Sequence, residues 1–482
     1  MIYISFYYFV LVIGLVCLYY LLPLKRRWIV LLMGNLLFYV AVSRASIAKF
    51  SVLILMSFLA WGFGQLMNKD ETHKKLYLIC ALITDTIPPL IFKQLPYAVD
   101  KFIHREMPGW WFVPLGISFF ALQLIAYDVD IYKGKTKGQK NYLKFLLFAS
   151  FFPQVVQGPI PRYEQLSHQL TEGNRFSEEK FVRGFLYILW GFFLKLCIAD
   201  KAGIVVDTVF NQCGTYQGVY VLVAGILYSV QLYADFLACT SLAQGVAWLF
   251  GIEIIDNFMR PYFATSIKDF WRRWHISLSS WLRDYIYIPL GGNRKGTVRK
   301  YINLAVTFAV SGIWHGAGVK FLLWGMLHGF YQITGDLLQP IRSKVRLFLH
   351  IDEKRMYYRV LSQIITFVLV MFAWIIFRAN GFREAIYMIR SVFTVYNPWV
   401  LTNGTLFNLG LDVREWHVLL FSIVVLFGIG TLKEKGISIS RKICSWALPI
   451  RWLSYLAIIV FVMLYGTYGF GYDAQAFIYG GF

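Results

Sequence analysis

The sequence predicts an all-α, polytopic membrane protein. Three observations carry that expectation: the composition, a series of long apolar runs, and basic clusters confined to the short segments between them. Of 482 residues, 58% are apolar, 18% aromatic and only 15% charged, far from the balance of a soluble globular chain. The stretches Ile2–Leu22, Phe50–Met67, Phe112–Tyr127, Phe181–Cys197, Gly218–Phe236, Ile365–Phe377, Val418–Leu432 and Leu453–Phe470 stand out. They reach or approach the roughly 20 helical residues that cross a hydrocarbon core of about 30 Å. Hydropathy along residues 1–482 predicts one polytopic membrane domain with about ten to twelve crossings.

The first run is followed, not preceded, by a basic cluster, Lys25, Arg26 and Arg27. It therefore reads as a retained first span with its N-terminus outside, rather than as a cleaved signal. Further clusters at Lys69–Lys75, Lys133–Lys140, Arg260–Lys300, Arg342–Arg359 and Lys433–Arg451 go to the cytoplasmic side by the positive-inside rule. Topology and anionic lipid headgroups account for the net charge of +21 better than nucleic acid does. The six cysteines are scattered without a C-x-x-C pair, so neither a disulfide framework nor a metal site is expected.

Two segments depart from simple spans. FASFFPQVVQGPIPRY (Phe148–Tyr163) is apolar but broken by Pro153, Pro159, Pro161 and Gly158. Proline removes a helix donor, and non-helical backbone at membrane depth must be covered by protein or face water. This stretch reads as a re-entrant segment or a broken span. From Asn257 to Lys300, nine Lys/Arg and two Asp alternate with aromatics, too many charges for a span. Its helical part, Ser266–Asp284, carries Phe270, Trp274 and Trp281 with Lys268, Arg272 and Arg283 interleaved. That pattern suits an interfacial helix, either a plain anchor or one offering cations to a polyanionic ligand. No repeat of 20 to 50 residues is evident.

Eight histidines are present. His73, His104, His168, His350 and His417 lie in or beside polar segments and read as solvated rings, while His328 in WGMLHGF reads as a hydrogen-bonding group inside the bundle. His315, in SGIWHGAG, differs. If Tyr301–Trp314 climbs as a helix from Lys300, its ring lies about 22 Å along the axis. Ionisable groups at such depth mostly face a bundle interior or a watery cavity, so function is the default reading and a satisfied core histidine the alternative. Glycines at 312, 316 and 318 let a second backbone or a ligand approach. A bulky residue at Gly316 is expected to obstruct that passage.

A neutral imidazole is the usual base for removing a hydroxyl proton. His275, in WRRWHISLS, is a second candidate, or a group that merely pairs within its helix. In YSVQLYADF, Gln231 and Asp235 share a helix face. A buried Asp235 needs a partner, expected as a histidine or arginine from the central region. The alternative places it at a wet helix end.

The segments FFPQVVQGPIPRY, YSVQLYADF, FWRRWHISLSSWLRDYIYIPLGGNR, GIWHGAG and WIIFRA occur in the order and at roughly the spacing found in bacterial membrane-bound O-acyltransferases. The chain resembles the alginate O-acetyltransferase branch most, over about residues 114–378. It is more distantly similar to the teichoic acid D-alanyltransferases. After YADF it reads LACTSLAQG, where relatives commonly carry a small Gly- and Ser/Asp-containing turn.

The resemblance implies a helical bundle around a tunnel joining a cytoplasmic and an extracytoplasmic funnel, in a bacterial plasma membrane. It makes His315 the catalytic histidine and His275 a second important one, with Trp314 and Gly316 beside the reacting groups. It implies no bound cofactor. The co-substrate is an acyl thioester, acetyl-CoA or an acyl carrier protein, drawn to Arg272, Arg273, Arg294 and Lys295. An SGNH-type or DltD-like extracytoplasmic partner would receive the acyl group, because the loop from about Asn380 to Trp416 is small for a second catalytic domain. A flippase using His315 and Asp235 as a proton relay, and a non-catalytic scaffold, are the readings from other classes.

Overall fold

The computed structural model describes residues 4–43 and 46–468. The ends of the apolar stretches Ile2–Leu22 and Leu453–Phe470 lie outside them. Among the described residues every regular element is a helix. Seven helices there are long and apolar enough to cross a membrane, and Phe6–Leu21 is a shorter apolar one.

Seven is fewer than the ten to twelve crossings that hydropathy predicts, and the difference has identifiable sources. Arg27–Val42 and Ile117–Tyr132 have 16 residues each. Thr297–His315 and Val319–Leu337 pack as a hairpin, and the first turns the polar Asn303, Thr307 and Ser311 inward. A helix screened by protein needs less apolar surface than one facing lipid.

The helix Val219–Leu249 runs through the centre and is buried on almost every face from Leu227 onward. It crosses Glu178–Phe193 at a pair of glycines: a Cβ on Gly184 would lie 2.7 Å from the Gly245 carbonyl oxygen, and one on Gly245 2.7 Å from that of Gly184. Small residues permit such backbone approach where helices pack in a bilayer.

Three of the basic clusters meet at one point. Glu434 accepts from Arg260, from Arg273 at 3.2 Å and from Arg359 at 3.4 Å. This gathers segments far apart in sequence at a single end of the bundle, as the positive-inside assignment requires.

The proline-rich stretch is re-entrant in form. Between the helices Tyr142–Ala149 and Tyr163–Thr171 it runs as turns, with Phe151, Phe152, Gln154 and Val155 buried. Asn35 ties it to the preceding helix: its Oδ1 accepts from Phe152 N at 3.0 Å, and its Nδ2 donates to Leu147 O of Tyr142–Ala149 at 3.2 Å. Irregular backbone is thus covered by protein and paired.

The expectation of one interfacial helix over Ser266–Asp284 is corrected. The segment forms two short helices, Ile267–Arg273 and Ile276–Leu282, that break at His275. Phe270, Trp274 and Trp281 are buried against protein rather than lipid: Trp274 meets Trp374 at 5.1 Å, and Trp281 Nε1 donates to Leu122 O at 2.8 Å. Aromatics alternating with cations read the same in sequence whether the apolar side faces lipid or a neighbouring helix.

Candidate active site

His315 is the last residue of the helix Thr297–His315 and is 2% exposed. Its ring meets Trp314 at 4.8 Å, Trp324 at 4.9 Å and Phe377 at 5.7 Å, all edge-to-face. Phe377 is the penultimate residue of Met356–Arg378, whose first turn holds Arg359 of the basic end. His315 therefore lies toward the end of the bundle opposite the Glu434 cluster.

The last carbonyls of an α-helix have no intrahelical partner. Here a distant helix supplies donors: Lys93 Nζ to Trp314 O at 2.9 Å, and Gln94 Nε2 to Ile313 O at 3.1 Å and Gly316 O at 3.4 Å. A cation at this terminus also suits the helix dipole. Lys93 was missed in the sequence, although a lone lysine in the apolar run LIFKQLPY was the available signal. Lys93→Met is expected to lower kcat for acyl transfer about tenfold or more at nearly unchanged KM, because an ångström of misplacement costs up to about 10²-fold. Steady-state kinetics of the purified variant check this.

The glycines act differently from one another. A Cβ on Gly312 would overlap the Phe321 backbone carbonyl, and one on Gly325 that of Phe308, so both permit close contact within the hairpin. A Cβ on Gly316 would overlap the ring of Phe321. What first opposes a side chain at Gly316 is therefore the packing of Phe321.

His275 is fully buried and sits at φ 45°, ψ 55°, a left-handed conformation in which a non-glycine residue is held only by its surroundings. Asn257 does the holding. Its Oδ1 accepts from Ser277 N at 3.1 Å, from Ser277 Oγ at 2.9 Å and from His275 Nδ1 at 3.2 Å. A backbone N–H can only donate, so the Asn257 atom is an oxygen and His275 Nδ1 carries the proton. In the neutral ring Nε2 is then the acceptor, and it has no partner among the described residues. The His275 ring lies 5.9 Å from Trp314, so one indole touches both candidate histidines.

His328 is fully buried and accepts from Trp271 Nε1 at 3.2 Å, the bundle-internal hydrogen-bonding role expected for it. Trp324, 4.9 Å from His315 and 5.0 Å from His328, separates the two rings.

Asp235 is buried, not at a wet helix end, and its partner corrects the expectation of a histidine or arginine. Lys195 Nζ lies 2.9 Å from Asp235 Oδ1 and 2.8 Å from Asp200 Oδ1, with all three side chains at 5% exposure or less. The lysine comes from the π-helical turn Leu194–Ala199 within an apolar run, so the sequence marks a buried cation there without naming its partner. Gln231 lies beside Gly203, with its Oε1 buried and without a partner among the described residues. Asp235 reaches the site through its neighbour Phe236, whose ring is 4.7 Å from His275. The helix passes unbroken through Cys239, Thr240 and Ser241 where relatives commonly carry a turn.

The expected donor-binding cations divide. Arg273 pairs with Asp269 at 3.1 Å and with Glu434, which commits it to the fold. Arg272, Arg294 and Lys295 are exposed. The last two lie in the turn before Thr297–His315, at the end opposite His315. From there Asn303, Thr307, Ser311 and His315 follow at four-residue spacing, all buried. The stripe covers about 18 Å of helix. Asn303 Nδ2 donates to Gly292 O at 3.0 Å, whereas Ser311 Oγ has no partner among the described residues.

The helix Thr297–His315 thus carries a buried histidine at one end and follows exposed cations at the other, with a buried polar stripe between them. The model of the membrane-bound O-acyltransferase family matches residues 110–377, more than half of the chain and all of this site except Lys93 and Gln94. The chain belongs to that family. This membrane-bound O-acyltransferase is 32% identical over 416 residues to the protein named "Probable alginate O-acetylase AlgI" of Pseudomonas fluorescens, covering 86% of this chain and 79% of the relative. It is 32% identical to the peptidoglycan O-acetyltransferase of Helicobacter pylori, covering 67% and 66%. To the teichoic acid D-alanyltransferase of Bacillus subtilis it is 25% identical, covering 69% and 86%. It is a multi-pass membrane acyltransferase, and its family decides against the flippase and scaffold readings.

Proposed function

We propose that this enzyme moves an acetyl group from a cytoplasmic thioester, acetyl-CoA or an acyl carrier protein, to a hydroxyl of an extracytoplasmic polysaccharide or other cell-envelope acceptor. His315 is the general base. It takes the proton of the acceptor hydroxyl while that oxygen attacks the thioester carbonyl; the new C–O bond forms, the C–S bond breaks, and the imidazolium returns its proton to the departing thiolate. No acyl-enzyme is needed. His275, with its ring 5.9 Å from Trp314, keeps that indole and the inner wall in place.

The observation that carries this reading is the position of His315 at the far end of the buried stripe Asn303–Thr307–Ser311 from the exposed Arg294 and Lys295. Orphaned buried polar atoms, Ser311 Oγ and both amide atoms of Gln154 among them, support an interior that receives a polar ligand or water. Arg272, Arg294 and Lys295 suit the phosphates of such a donor. The acetyl group and the polysaccharide acceptor are favoured by the 32% identity to O-acetylating relatives against 25% to a D-alanyl-transferring one. An SGNH-type partner outside the membrane would take the acyl group onward.

The test reconstitutes the enzyme in vesicles with labelled acetyl-CoA on one face and an acceptor oligosaccharide on the other. Transfer is expected only with the donor on the face carrying the basic clusters. Transfer from a D-alanyl carrier protein but not from acetyl-CoA or an acetylated carrier would overturn the donor assignment. Replacing Arg294 and Lys295 together by Gln is expected to raise the donor KM about tenfold with kcat unchanged.

A further inference from the structure

Away from the site, the helices Glu178–Phe193, Val413–Glu434, Ile439–Cys444 and Leu448–Tyr465 line a cavity of about 310 Å³. One of its walls is a single stripe of Val413–Glu434. Phe421, Val425, Ile429 and Lys433 follow at four-residue spacing, three apolar groups and then a cation. Trp190, Ile443 and Ala457 face them from the other three helices. Phe421 is 55% exposed and Lys433 is exposed as well, so the cavity opens at the protein surface.

The stripe spans about 18 Å from Lys433 to Phe421, close to the roughly 15 Å that one leaflet contributes to a hydrocarbon core of about 30 Å. Its charged end is the basic end of the bundle. Lys433, Lys435, Arg441 and Lys442 are exposed there. Of the acidic residues nearby, Glu434 is already engaged by Arg260, Arg273 and Arg359, and Asp256, which also faces Lys433, accepts from Gln244 Nε2 at 2.9 Å. A groove one leaflet long, apolar along its depth and cationic at its rim, has the complement of an anionic lipid.

We infer that this groove binds one anionic phospholipid of the cytoplasmic leaflet, with an acyl chain along Phe421, Val425 and Ile429 and the headgroup phosphate at Lys433. Anionic lipids are enriched in that leaflet, and each basic residue near the surface strengthens their binding about fivefold. The site is independent of the acyl-transfer reading, since none of its residues touches His315 or His275.

The experiment titrates the delipidated full-length protein in detergent with phosphatidylglycerol or phosphatidylcholine and counts retained lipids by native mass spectrometry. Wild type is expected to retain one phosphatidylglycerol at about fivefold lower lipid concentration than phosphatidylcholine. Lys433→Gln should remove that preference, and Ala457→Trp, which fills the apolar end, should weaken both lipids. Equal retention of the two lipids by wild type would overturn the assignment. So would an unchanged preference in Lys433→Gln, or a dimer lost on Ala457→Trp, which would give the groove to a second copy of the chain. If Ala457→Trp does not insert, Lys433→Gln decides alone, because it removes one cation beside Tyr187 and leaves the apolar packing between the helices in place.

Discussion

Replacing His315 by alanine is expected to lower kcat for acyl transfer by about 10²- to 10⁴-fold, the usual contribution of a positioned general base. Insertion into the membrane should be unaffected. The backbone that carries the ring is fixed from outside the ring, by Lys93 and Gln94 on the carbonyls of Ile313, Trp314 and Gly316. Truncation therefore removes the imidazole and leaves the helix end in place. His328→Ala provides the control. It too deletes a buried ring beside Trp324, and it orphans the Trp271 indole N–H, so it should destabilise the protein at least as much. Its kcat per folded molecule should nevertheless stay within severalfold of wild type. Measured on purified, monodisperse protein, a similar loss in both variants would show that His315 acts through packing. Near-normal transfer in His315→Ala would remove it from the chemistry.

What could be read from the sequence follows from what is local in it. The membrane class rests on composition and run length, and the burial of His315 on its distance along one helix from Lys300; both are properties of a single stretch of chain. His275 was recognisable as a histidine of interest, but its left-handed backbone was not, because the device that imposes it is Asn257, eighteen residues away. The stripe Asn303–Thr307–Ser311 has a readable four-residue period that ends on His315 and was overlooked beside the glycines. Lys93 and Lys195 each stand alone in an apolar run, a signal that marks a functional or structural cation without naming its partner. Which face of Ser266–Asp284 meets lipid and which meets protein depends on helices remote in sequence, so the aromatic pattern could not separate the two.

The partner of Asp235 makes the last of these points measurable. Lys195 stands between Asp200 and Asp235 with all three side chains out of reach of lipid and bulk water. Removing the cation leaves two neighbouring carboxylates in a low-dielectric interior, the situation in which breaking a buried ion pair costs about 3–5 kcal/mol. Lys195→Met is therefore expected to unfold at markedly lower temperature or denaturant than wild type. Asp235→Asn should lose less, because Lys195 keeps Asp200 and the new amide can still accept from it. The order of the two follows from the charge left behind: two carboxylates that have lost Lys195 in the first variant, Lys195 with Asp200 in the second. Equilibrium or thermal unfolding in a single detergent compares them directly. If Lys195→Met proved as stable as wild type, the ion-pair reading of this triad would be overturned. The measurement also separates fold from chemistry, since the Lys195 and Asp235 variants should transfer acyl groups at near-normal kcat per folded molecule while the His315 variant should not.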